Sequence, residues 1–173
     1  MALREKIHEA LNEQIAREFQ AHFIYRAIAM DLYEKGYDGF AGWMEQHAKE
    51  EYGHAERIIH YLRENDARVT LTAIPKPQDT WPTVKGAVEA ALQHEKKLTA
   101  DIYELHRLAD EDGDLATVSM LDWFVSEQVE EEHVVNRLLK RIALAGDSPI
   151  GLVVIDNELK SGAEAASGSE NGE

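Results

Sequence analysis

Residues 47–55 read HAKEEYGHA, and within them Glu51 and His54 stand three positions apart. Side chains three or four apart lie on one side of a helix, so Glu51-x-x-His54 presents a carboxylate and an imidazole to one point. Steps of 3 and 4 outward from Glu51 meet Phe40, Met44, Ala48, Ala55, Ile58 and Leu62. That is the buried stripe of a helix running from about Phe40 to Asn65, with a single acid in its middle.

The same stepping finds three more seams. The first helix, about Leu3 to Glu34, carries Ile7, Leu11, Gln14, Glu18, Ala21, Tyr25, Ile28 and Leu32. A third, starting near Thr80 to Pro82 and reaching about Glu111, carries Val84, Val88, Ala91, Glu95, Leu98, Ile102, Leu105 and Ala109. The fourth, ending near Ala145-Gly146, carries Thr117, Leu121, Phe124, Gln128, Glu131, Val135, Leu138 and Ile142. Each seam is otherwise apolar or weakly polar and holds one glutamate near its centre.

Helices of ~30 residues are roughly 45 Å long and pack naturally as a four-helix bundle. The turns Gly36-Tyr37-Asp38-Gly39 and Glu111-Asp112-Gly113-Asp114 make the first and second pairs antiparallel hairpins. The connection between helices two and three is a proline-bearing stretch of roughly fifteen residues, enough to run the length of a bundle. The expected fold class is therefore all-α, an up-down-down-up bundle with one long crossover. Pro149 to Leu159 follows as a short amphipathic fifth helix. The expected domain spans residues 1–160, and residues 161–173 form a disordered acidic tail rich in Gly, Ser and Ala.

An ionised carboxylate buried without a partner costs several kcal/mol, and no Lys or Arg shares these seams. Two divalent cations would bring four positive charges to Glu18, Glu51, Glu95 and Glu131. Carboxylate oxygens with one imidazole suit iron or manganese, leave zinc open, and disfavour soft copper chemistry.

The 173 residues suit one domain, and the net charge of −15 excludes a nucleic-acid partner, which needs clustered Lys and Arg. With no cysteine there is no disulfide, thiolate site or thiol nucleophile. No apolar run approaches the ~18 residues of a membrane span, and MALREKIHEA lacks a signal-peptide apolar stretch. The expected setting is cytoplasmic, with no membrane partner.

LNEQIAREF around Glu18, HAKEEYGHA, Glu95, WFVSEQVEEE around Glu131 and the ending LAGDSPIGLVVIDNEL together resemble the non-haem bacterial ferritins over about residues 5 to 160. The resemblance implies a ferritin-like fold and an iron-storage protein with ferroxidase activity, oxidising Fe(II) with O2 or H2O2. It places one iron at Glu18, Glu51 and His54 and a second at Glu51, Glu95 and Glu131, with Glu51 bridging. Gln128 corresponds to a glutamine beside the centre and Tyr25 to a tyrosine hydrogen-bonded near it. Glu50, Glu127 and Glu130 correspond to a third iron site, which also borrows Glu131. The assembly implied is a homo-oligomeric hollow shell of twenty-four subunits, and Ile150, Val153, Val154 and Leu159 give the fifth helix an apolar face needing a partner.

A competing register, Glu130-x-x-His133, falls with Arg137, Arg141 and Lys140 instead of the seam. Three residues after Glu131 stands Val134, so the second half of the site lacks a histidine from the fourth helix. Tyr52 occupies the position where a bacterioferritin has its haem-ligating methionine, so no haem is expected. His8, His22, His47, His60, His94, His106 and His133 read as surface or packing residues. The alternative function is a di-iron oxidase or peroxidase on the same bundle that stores nothing.

Overall fold

A computed structural model describes residues 5–146 and 148–169, with side chains through residue 162. Among these residues every regular element is an α-helix: α1 Glu5–Glu34, α2 Asp38–Glu64, α3 Val84–Glu111, α4 Leu115–Ala145 and α5 Pro149–Ser169. None is long and apolar enough to cross a membrane.

Every residue of the four seams is buried. All their apolar members except Ala21 and Leu98 fall into two clusters, one at each end of the bundle. One cluster joins Ile7, Leu11 and Ile15 of α1 to Ile58 and Leu62 of α2, Ile102 and Leu105 of α3, and Leu121 of α4. The other joins Ile28 and Leu32 to Phe40 and Met44, Val84 and Val88, and Leu138 and Ile142. The beginnings of α1 and α4 thus share one end with the finishes of α2 and α3. The order is up-down-down-up, and α2 and α3 run parallel.

Parallel neighbours require the crossover, and two buried polar side chains pin it. Asn12 donates to the Arg68 carbonyl (3.2 Å) and accepts from the Thr70 amide (2.6 Å). At the far end, Asp31 accepts from the Trp81 amide (3.1 Å), and Lys35 bonds both Asp31 and the Trp81 carbonyl. A backbone without its own ladder needs such partners wherever it is covered.

The helix ends follow local chemistry. Gly36, Gly113 and Gly146, all at positive φ, close α1, α3 and α4. Thr83 caps α3: its hydroxyl accepts from the Gly86 amide at 3.0 Å, so the helix starts at Val84, just past the expected Thr80 to Pro82. Asp114 does the same for α4 through Thr117. The fifth helix differs most from the sequence expectation, because its backbone stays helical to Ser169 instead of stopping near Leu159. The run Ala163-Glu164-Ala165-Ala166 consists of strong helix formers. Of the expected disordered tail, residues 170–173 lie outside the described residues.

Candidate metal centre

Between the two apolar clusters lies a polar layer. Glu18 of α1, Glu51 of α2, Glu95 of α3 and Glu131 of α4 are exposed by 1, 0, 0 and 4%. Because each interrupts its seam at mid-helix, antiparallel and parallel packing alike bring all four to one level.

Their hydrogen bonds divide the layer in two. Glu95 is well held: Oε1 accepts from the Tyr25 hydroxyl at 2.7 Å and Oε2 from Gln128 Nε2 at 3.2 Å. Glu131 Oε2 lies 3.0 Å from His47 Nδ1. Glu18 Oε1 accepts from Gln14 Nε2 at 2.7 Å, but its Oε2 has no partner. Neither oxygen of Glu51 has one, nor does His54 Nδ1. These orphaned atoms point at each other: His54 Nδ1 is 3.4 Å from Glu51 Oε2 and 3.9 Å from Glu18 Oε2. Buried polar groups are almost always satisfied, so an unsatisfied convergent set marks a place for something not part of the chain.

The electrostatics agree. Burial raises the pKa of Glu18 above the ordinary carboxylate value, and raises that of Glu51 well above it, with Glu95, Glu18 and Glu131 adding repulsion. Glu95 is pushed up to about 7, mainly by burial, despite the opposing bonds from Tyr25 and Gln128. A divalent cation would replace the protons these groups otherwise hold.

Among the described residues, ligand atoms come within 4.8 Å of one another in three groups: Glu18, Glu51 and His54; His54, Glu127 and Glu131; and His47, Glu50 and Glu131. The first is the set expected for one metal ion. Glu95, expected with Glu51 and Glu131, stands in none of the three, since both its oxygens face hydrogen-bond donors. Glu50 and Glu127 are half-buried at the edge of the layer, and His54 Nε2 lies 3.9 Å from Glu127 Oε1. Glu130 is exposed and joins no group, and His133 is exposed too.

His47, expected as a surface or packing residue, packs against Tyr25 and Trp43 and also faces two carboxylates. It is 7% exposed, with Nδ1 3.0 Å from Glu131 Oε2 and 3.2 Å from Glu50 Oε2. Burial alone would depress its pKa, but the bond and charge of Glu131, with Glu50 and Glu95, raise it overall. Its spacing held the signal: His47 lies four residues before Glu51, as His54 lies three after it, so all three share one helix face.

The resemblance of this geometry to known proteins is extensive. Residues 8–145 match the family model of the ferritin-like domain. The bacterial non-heme ferritin of Staphylococcus saprophyticus is 36% identical over 157 residues, spanning 91% of this chain and 94% of that one. Its Staphylococcus aureus counterpart is 32% identical over 157 residues, with 91% and 95% covered. Among solved structures, the open pore ferritin from the archaeon Archaeoglobus fulgidus superposes with a TM-score of 0.90 at 34% identity, covering 91% of this chain and 98% of that one. Fold, buried carboxylate layer and relatives agree: the chain belongs to the ferritin family.

Proposed function

We propose that this protein oxidises Fe(II) at its buried carboxylate layer and stores the Fe(III) as mineral inside a hollow homo-oligomeric shell, in the cytoplasm. The observation that carries the reading is the unpartnered set Glu18 Oε2, Glu51 Oε1 and Oε2, and His54 Nδ1. Iron is the substrate here. Glu18, Glu51 and His54 would hold one ion, and Glu51, Glu95 and Glu131 a second, the carboxylates favouring the ferric state by their charge. Two Fe(II) yield two electrons, which with two protons reduce O2 to H2O2, or H2O2 to two waters. Tyr25 and Gln128 would orient Glu95, and Glu50 and Glu127 lie where oxidised iron would leave the layer. The domain would be residues 1–160, with 161–173 as an acidic tail.

Assembly into a shell, twenty-four subunits by family resemblance, is supported by α5. Its Ile150, Val153 and Val154 are exposed by 76, 51 and 51%, an apolar face that this subunit does not cover.

Aerobic Fe(II) addition, followed by absorbance of the ferric product and by sedimentation, tests the proposal. Fast oxidation, lost in Glu51→Ala, together with iron-laden shells is the expected result. Oxidation without retained iron would favour a di-iron oxidase or peroxidase. Equal rates for both proteins would remove the oxidation centre altogether.

A further inference from the structure

We propose that Gln14 is a positioning residue for Glu18, engaging one carboxylate oxygen so that only the other meets a cation, and that Arg17 sets which way the Gln14 amide faces. The inference rests on the ferroxidase reading and deepens it.

The three residues lie about one turn apart on α1, with Gln14 four before Glu18 and three before Arg17. Gln14 is fully buried, and a buried amide needs partners at both its ends. Its Nε2 donates to Glu18 Oε1 at 2.7 Å, and its Oε1 accepts from Arg17 Nη1 at 3.3 Å. A guanidinium can only donate, so the amide oxygen turns toward Arg17 and the NH2 group toward Glu18. Arg17 is half-buried and is itself held from two helices. Its Nη2 bonds Glu13 Oε2 of α1 at 3.2 Å, and its Nε stands 3.5 Å from Asp101 Oδ2 of α3.

The consequence is a difference between two neighbouring carboxylates. With Oε1 engaged, Glu18 offers Oε2 alone, the atom without a partner that faces His54 Nδ1. Glu51 has no such amide beside it, and both its oxygens are free. One free oxygen suits a ligand to a single ion, whereas two suit a bridge between ions. Without the Gln14 amide, the Glu18 carboxylate would be free to turn and present both oxygens. The fourth seam carries a counterpart, for Gln128 Nε2 reaches Glu95 Oε2 at 3.2 Å. Gln14 and Gln128 are the two amides of the four seams, and each gives its NH2 group to an acid of the layer. Ligands held by such partners keep the direction a metal site requires.

The test is equilibrium dialysis of the iron-free full chain against Fe(II) without oxygen, which reads binding apart from turnover. Wild type should take at least two ions per subunit. Gln14→Met keeps the volume of the side chain and suits the apolar seam, but has no donor. It should bind one of the two ions about tenfold more weakly and leave the other unchanged. Arg17→Met, at a half-buried position, should weaken the same ion by less; should Gln14→Met fail to fold, this variant carries the comparison. Each change is then repeated in Glu18→Ala, where a positioning group has nothing left to position. There neither substitution should alter Fe(II) affinity by more than about twofold. An equal loss in both backgrounds would make Gln14 a merely structural residue and overturn the proposal, as would wild-type affinities in Gln14→Met. Unchanged affinity in Arg17→Met alone would overturn the part given to Arg17. All these results leave two ions bound by wild type and spare the ferroxidase reading, whereas uptake of none by wild type would defeat both.

Discussion

The Tyr25 hydroxyl of α1 donates to Glu95 Oε1 of α3 across 2.7 Å, tying two helices together at the level of the carboxylate layer. That bond lowers the Glu95 pKa, yet burial still leaves it at about 7. Tyr25→Phe removes only the opposing influence, so Glu95 should hold its proton to higher pH. The acid limb of the oxidation profile is expected to move upward, with a rate near pH 6.5 reduced by about fivefold. At pH 8 Fe(II) binding at the two proposed positions should be unchanged. Stopped-flow rates from pH 6 to 8 check both statements.

Glu51 opposes the stability of the fold while leaving both carboxylate oxygens free for a cation. Its carboxylate is fully buried, unpartnered, and repelled by Glu18, Glu95 and Glu131. Glu51→Gln preserves volume, and its amide can donate to the orphaned Glu18 Oε2. Fe(II) oxidation should fall on the order of 100-fold, since even outer-sphere support of metal ligands contributes up to that much. In chelator at pH 8 the same variant should melt higher than wild type, by about 2–4 °C for each kcal/mol of repulsion removed. A lower melting temperature would show that the acids are not mutually repelling in the metal-free protein.

The four seams were legible because long helices leave a simple record: steps of 3 and 4, apolar throughout, with one acid each. His47 shares a face with Glu51, four residues on, yet it stands beside the traced seam and not on it. A seam traced one residue wide passes through Met44, Ala48 and Glu51, whereas the buried stripe broadens around the polar layer and takes in the flanking face of α2. Asn12 and Asp31 were illegible for a different reason. They are buried because the crossover needs partners for its backbone, a demand that arises only once residues 68–70 and 81 lie against α1. The ligand sets came through unevenly. Spacing put Glu51 and His54 on one helix face and the family resemblance added Glu18 to them, but the rotamer of Glu95 answers to Tyr25 and Gln128, on two other helices.

Raised carboxylate pKa values predict how pH acts on the metal-free protein. Glu95 binds its proton up to about 7 when folded but only to an ordinary 4.5 when unfolded, and Glu18 and Glu51 shift in the same direction. Between those values the native state holds more protons than the unfolded one, so stability must decrease as pH rises. The contribution is complete below about 4.5 and lost as pH passes through 7. Cations bind the deprotonated form, so they should restore stability most at the upper end and release protons on binding. Thermal melts from pH 5 to 8 with and without Zn(II), and calorimetry in buffers of different ionisation enthalpy, measure the two effects. Melting temperatures independent of pH in chelator would contradict this account.

The fifth helix is fixed by a contact at the start of the second. Asp156 Oδ1 accepts from the Phe40 amide at 2.9 Å, capping α2 from outside its own sequence, where Tyr37 provides no side-chain cap. Close approach is possible because residue 39 is glycine; a Cβ there would collide with the carbonyl group of Asp156. Lys160 reinforces the junction by pairing with Asp38 at 3.3 Å. Asp156→Ala should cost about 1 kcal/mol, as loss of a cap does, while α5 stays in place. Gly39→Ala should do more, because backbone must move away from backbone. Its α5 is expected to leave α2, so that the proposed shell fails to form or changes size by sedimentation while Fe(II) binding at the carboxylate layer, some way along α2, remains intact. Normal shells from Gly39→Ala would mean that the angle of α5 is set elsewhere.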